Sequence, residues 1–206
     1  MNAIYNSTPI QKLFTKRFET LKSKVKNFSD SQSSSGNLLE IAKRFSSECS
    51  LTPLTIDFAN RRSYVQMVSR LGSTFPPTQD VNRNQTYSVA CVFYEFPILA
   101  GTHELIYAIP QSASMREKVS ADLVNNSFRV GYRTNYFNEI LNDNVKVEVK
   151  AAMTPIITSI ENMTAVVNNE VSEFNNSLYN IAVTLLNERQ TELNLRENQN
   201  EELNRL

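Results

Sequence analysis

The chain has 206 residues, enough to bury a core without disulfides or metals, and its 41% hydrophobic content with 11 Phe and 8 Tyr excludes a disordered class. Lys plus Arg equals Asp plus Glu at 21 each, so no global field attracts nucleic acid or anionic lipid and any such binding must be local. The cysteines, Cys49 and Cys91, sit in apolar contexts without a CxxC or a His cluster, which excludes a zinc site of the usual spacing and points to buried free thiols. No apolar run approaches the length of a membrane span and "MNAIYNSTPIQKLF" has no signal-peptide pattern, so the expected location is cytoplasmic.

Thr8, Pro9 and Gln11 predict a helix start, with Thr8 capping and Pro9 at the first helical position. Ile10, Phe14, Phe18, Leu21, Val25 and Phe28 then recur at spacings of three and four, which predicts one amphipathic helix. Its polar face carries Lys12, Lys16, Arg17, Lys22, Lys24 and Lys26 against Glu19 alone. Such a face suits phosphate backbones or anionic lipid, although more often it is simply solvated. "SDSQSSSG" (29–36) has nothing to bury and reads as a connector. A second helix opens at Asn37, with Glu40 three residues on, buries Leu38, Ala42, Phe45 and Cys49, and ends before Pro53.

"LTIDF" alternates like a short strand, whereas Tyr64, Val65, Val68 and Leu71 predict a helix closing at Gly72. Arg61 and Arg62, beside Tyr64, are a second candidate contact for an anion or a nucleic acid. Residues 73–86 read as a loop. "YSVACVFYEF" is apolar on both faces and predicts a central strand, and "HELIYAIP" a second strand paired with it as a hairpin. "SFRVGYR" alternates with Phe128, Val130 and Tyr132 on one face. "VKVEV" (145–149) is compatible with a strand or with the start of the next helix.

The longest regular signal follows. Ile157, Ile160, Thr164, Val167, Val171, Phe174, Leu178, Ile181 and Leu185 form a coiled-coil-like heptad seam, with Pro155 placed to start the helix behind Thr154. Charged flanks are rare, Glu161 and Glu170 being the exceptions, and Ile156, Met163, Val166, Tyr179 and Leu186 widen the apolar face. A wide face packs on a sheet or on several helices of the same chain, or on an oligomer partner, and the sequence leaves both coverings open. After Glu188 only Leu193, Leu195, Leu203 and Leu206 are apolar, which predicts a solvated helical extension.

Little chemistry is legible. His103 is the only histidine, and with Glu104 beside it and Glu95 across the expected strands it is the sole basis for an acid–base cluster. Four glycines form no phosphate-cradling loop, and nothing predicts a cofactor or a metal.

Two stretches, "YSVACVFYEFPILAGTHELIYAIPQS" and "EFNNSLYNIAVTLLNERQTEL", resemble the non-catalytic N-terminal sensor or scaffold part of uncharacterised bacterial anti-phage defence proteins. The matching positions are Phe93, Pro97 and Gly101 in the hairpin and Phe174, Asn175, Leu178 and Arg189 in the helix. The resemblance spans about half the chain, roughly Tyr87 to Leu193, and implies a non-catalytic part that works with a separate effector domain, either as a stand-alone partner subunit or as the N-terminal piece of a longer protein.

The expected architecture is α+β: N-terminal helices, a small antiparallel sheet of three to five strands and a long C-terminal amphipathic helix. Its expected organisation is a basic helix with connector (1–36), an α+β core (37–190) and a polar helical tail (191–206). The expected function is a non-enzymatic binding, sensing or scaffold subunit that associates with a protein partner or with itself. Ile157, Ile160, Val167, Val171, Phe174, Leu178, Ile181 and Leu185 are the candidate interface. The alternatives are a nucleic-acid-binding module using Lys12, Lys16, Arg17, Lys24, Arg61 and Arg62, and an enzyme using His103 with Glu104.

Overall fold

Fifteen residues of nearly unbroken apolar and β-prone sequence, Thr86–Ala100, form the central strand of an antiparallel sheet. A computed structural model describes residues 2–28, 37–115 and 119–205. In chain order its elements are strands β1 (Asn2–Ala3) and β2 (Thr8–Pro9), helix α1 (Ile10–Lys26), helix α2 (Leu38–Cys49) and strands β3 (Thr55–Ile56) and β4 (Arg62–Leu71). The central strand is β5, followed by β6 (Ala108–Ile109), β7 (Ser120–Val124), β8 (Ser127–Arg133) and helix α3 (Asp143–Asn204). The sheet runs β1-β7-β8-β5, and β3 and β4 share the far edge of β5. β2 and β6 form a small parallel pair. The class is α+β, as expected.

The inner face of the sheet carries Val92, Phe96, Phe128, Val130 and Ala121, all buried, and the first half of α3 lies across it with Val149, Met153, Ile157 and Ile160. Residues 145–149 therefore belong to the helix. The helix does not start at Pro155, as its local Thr-Pro signal predicts. It starts twelve residues earlier, capped by Asn142, whose side chain accepts the Val145 N–H at 3.0 Å. Burial of Val149 and Met153 on the sheet extends the helix through the proline. Pro155 is exposed, so water can reach the carbonyl it leaves unpartnered.

A second core lies further along α3, where Leu178, Ala182 and Leu186 pack against Leu21, Val25 and Phe28 of the α1 arm and Ile41, Ala42, Phe45 and Cys49 of α2. α1 belongs to both cores, since Ile10 and Phe14 join the first. The connector read at 29–36 lies outside the described residues. α3 continues as a mostly exposed helix to Asn204, with Leu193 buried.

Four other expectations are corrected. Thr8–Pro9 is a strand rather than a cap: Pro9 precedes α1 with φ −54° and ψ 131° and no side-chain cap bond forms. The helix read at 64–71 is the ten-residue strand β4, since pairing with β5 from Arg62↔Glu95 to Leu71↔Thr86 overrides the weak helical period. "HELIYAIP" does not pair with β5. Residues His103–Tyr107 form a 3-10 turn that buries Leu105 and Ile106, and only Ala108–Ile109 is extended, beside β2. β5 itself runs on through Pro97 to Ala100, past its expected end at Phe96. Gly101 then turns the chain at φ +126°, where an added Cβ would stand 2.7 Å from Leu54 Cα and 2.8 Å from the Pro53 carbonyl oxygen.

Candidate functional site

The heptad seam predicts that α3 presents one line of side chains, but a straight helix drifts off a strict seven-residue repeat. Beyond Phe174 the deepest positions advance by four, Leu178, Ala182 and Leu186, all fully buried. Ile181 and Leu185 rotate to the margin and are half-buried. The chain itself covers Ile157, Ile160, Val167, Val171 and Leu178. Of the eight candidate interface residues, those five thus have an intramolecular partner, and Phe174, Ile181 and Leu185 retain accessible surface.

Phe174 stacks on Phe14 of α1 with ring centroids 4.3 Å apart and planes 6° apart. This pair forms the floor of a groove of about 690 Å³ between α1 and α3, bordered by Phe18 on one helix and Ile181 on the other. Gln11, Thr15, Asn169, Glu173 and Ser177 make its polar margin. The loop after β6 closes one end, fixed by Glu170. That carboxylate accepts the Gln111 N–H at 3.0 Å, the Ser112 N–H at 2.8 Å and the Ser112 hydroxyl at 2.6 Å. Burial pushes the Glu170 carboxyl up, and the three hydrogen bonds together outweigh it, so its pKa lies below the ordinary glutamate value. With its oxygens engaged, Glu170 shapes the groove rather than serving as an acid or base.

Two side-chain amides on the same helix hold the segment after α2. Asn175 accepts the Leu51 N–H at 3.0 Å and donates to the Leu51 carbonyl at 2.8 Å. Asn168 does the same for Leu54, at 2.7 Å and 2.8 Å. Seven residues of helix rise about 10 Å and three residues of extended chain span about 10 Å, so the two amides meet backbone groups in step. Nearby, Thr164 donates to the Ile160 carbonyl at 2.8 Å and accepts the buried Tyr5 hydroxyl at 2.6 Å. Burial raises the Tyr5 pKa to about 12.

The basic residues do not gather into one patch. Lys12 and Lys16 are exposed on α1, and Arg17 is half-buried. Lys22 pairs with Glu19 at 3.1 Å and Lys24 with Glu48 at 2.6 Å. The hydrogen bond to Glu48 raises the Lys24 pKa, and its counterpart lowers that of Glu48. Arg61 and Arg62 sit elsewhere, at the start of β4. Arg61 donates to the Phe58 carbonyl at 3.0 Å and Arg62 lies opposite Glu95 on β5. His103 and Glu104 are exposed on the 3-10 turn, and neither lines the groove. Glu95 stands in register between Arg62 and Arg129 on its two neighbouring strands.

Among the described residues no group of His, Cys, Asp and Glu could hold a metal ion, and no helix is long and apolar enough to cross a membrane. The sequence pattern gives no role to Asn168, Gln111 or Ser112, and Asn175 enters it only as a position of the resemblance. The heptad spacing of the two asparagines on a buried margin was the available signal. Comparison of the chain with family models, with curated proteins and with solved structures finds no match.

Proposed function

We propose that the chain is a non-enzymatic binding subunit that acts through protein–protein assembly, its partner seating an amphipathic segment in the groove between α1 and α3. The observation that carries this reading is that Phe18, Phe174 and Ile181 stay half-buried side by side in one open groove, apolar surface that the rest of the chain leaves accessible. A partner helix laid there would bring apolar side chains onto Phe18 and Ile181 and polar ones toward Glu173 and Gln11. The resemblance of the β5 and α3 stretches to sensor or scaffold parts of anti-phage proteins supports placing that assembly in bacterial antiviral defence.

The test is native mass measurement at micromolar concentration, alone and together with the products of neighbouring genes. The reading expects a defined complex with one of those products that is lost in Phe18→Asp and in Ile181→Asp while each variant keeps its far-UV circular dichroism. Absence of any such complex, or its persistence in both variants, overturns it. A second reading, a phosphate-backbone contact, rests on Lys12 and Lys16, which stand exposed on α1. It requires a gel-shift complex at low salt that weakens steeply as salt is added.

A further inference from the structure

We propose that β4 is a homodimer seam, along which two copies of the chain join edge to edge, antiparallel about a two-fold axis at Met67, to make one continuous sheet. The exposed edge of β4 is a different surface from the groove between α1 and α3.

β4 pairs with β5 without a shift from Arg62↔Glu95 to Leu71↔Thr86, and the Gly72 N–H donating to the Gln85 carbonyl at 2.7 Å continues that register. Hydrogen-bonded pairs alternate along an antiparallel ladder. The even-numbered residues of β4 therefore turn their backbone groups toward β5. Those of Ser63, Val65, Met67, Ser69 and Leu71 point away, and their N–H groups have no partner among the described residues.

Proteins usually blunt such an edge with a proline, a bulge or a central charge. β4 has no proline, its register carries no bulge, and its only charges are Arg62 and Arg70 near its two ends. An unbulged ten-residue edge of this kind is a template for another strand, and its own sequence complements itself.

With the axis at Met67, Ser63 faces Leu71, Val65 faces Ser69 and Met67 faces its copy. Every outward residue of each strand thus meets an outward residue of the other, and about eight interchain hydrogen bonds form between free backbone groups, the Leu71 carbonyl of each copy already accepting its own Thr74 hydroxyl at 2.7 Å. The same register places Tyr64 opposite Arg70. Centring the axis one residue away, on Gln66, would instead oppose Arg62 to Arg70, two like charges face to face.

Side chains on the inner face fit the same register. Leu71 is 47% exposed and Ile140 is 82% exposed. Ile140 and Leu141 border a shallow cavity of about 340 Å³ beside Ser63 and Val65. The pairing of Ser63 with Leu71 of the second copy sets that leucine beside this cavity. The two-fold axis repeats the contact, so both exposed apolar residues of each chain are covered by the other.

Sedimentation or light scattering over a micromolar concentration range tests this. The wild type is expected at twice its 23.5 kDa. Met67→Pro removes an N–H that faces away from β5, so the fold is expected to survive while the mass falls to that of the monomer. Leu71→Lys adds a charge at an exposed position and serves as the independent variant. Ile181→Asp is expected to leave this dimer intact, which separates its fate from that of the groove complex. Met67→Cys, opposite its own copy, is expected to cross-link under diamide, whereas Gln66→Cys is not. A wild-type mass of 23.5 kDa at every concentration overturns the proposal. So does a dimer that both Met67→Pro and Leu71→Lys leave in place, or a Met67→Cys dimer that fails to cross-link.

Discussion

Replacing Asn168 with Ala removes both hydrogen bonds to Leu54, a residue 3% exposed. A buried backbone group left without a partner costs about 1–3 kcal/mol, so the loss from the N–H and C=O together is about 2 kcal/mol after partial relaxation toward water. Asn175→Ala, acting on Leu51 at 1% exposure, is expected to cost a similar amount. The two amides hold one segment, so its release by the first substitution lowers the cost of the second. The double variant should fall short of the sum by about 0.5 kcal/mol or more. Asn168→Asp sharpens the test. Its carboxylate can still accept the Leu54 N–H, but it sets an oxygen against the Leu54 carbonyl where an N–H donated. Protonation restores the donor. The folded pKa of that aspartate is thus raised above its unfolded value, and its contribution is present at low pH and lost as pH rises through the folded pKa. Urea unfolding followed by far-UV circular dichroism across pH measures the four variants against the wild type. A cost below about 0.5 kcal/mol for each alanine variant, or an Asn168→Asp stability that does not fall with rising pH, would refute the clamp.

Glu170→Gln should destabilise by about 1–2 kcal/mol near neutral pH, because one charged acceptor of three hydrogen bonds is lost. Its folded pKa is depressed, so the contribution of the carboxylate is present above the unfolded pKa and disappears as pH falls through the folded one. Unfolding curves of wild type and variant should therefore converge in acid, and a constant gap between them would refute the assignment. Gly101→Ala combines a strained φ with two backbone collisions, and a loss of about 2 kcal/mol or more is expected by thermal or urea unfolding. Burial raises the Cys49 thiol and pushes that of Cys91 up to about 11. At about pH 8 neither should react with Ellman's reagent in the native protein and both should react in urea, whereas fast native labelling would contradict their burial.

Phe174 illustrates how much of the groove was legible beforehand. Its place on the apolar stripe, and that of Phe14 and Phe18 on α1, follow from spacing alone, since a helix repeats its face every three to four residues whatever lies opposite. The same local physics marked the Asn37 cap of α2, strand β8 and the central part of β5. Periodicity reports that a face is apolar without saying what covers it. Phe14 stacking on Phe174 and Glu170 bonding the loop after β6 join residues far apart in the chain, and no local pattern records such pairings.

The polypeptide on its own determined an α+β composition, two short amphipathic helices, one very long one and a β-rich middle, because each of these is written in the alternation of apolar and polar side chains over neighbouring residues. Tertiary contact alone decided that 62–71 is a strand, that α3 begins at Asp143 and that residues 103–109 turn away from the sheet. It also decided which part of the α3 stripe is sealed and which part borders a groove. In each case a weak local preference yielded to a partner that arrives from a distant part of the chain. The free energy of covering apolar surface and pairing backbone groups there exceeds the fraction of a kcal/mol by which neighbouring residues bias one conformation over another.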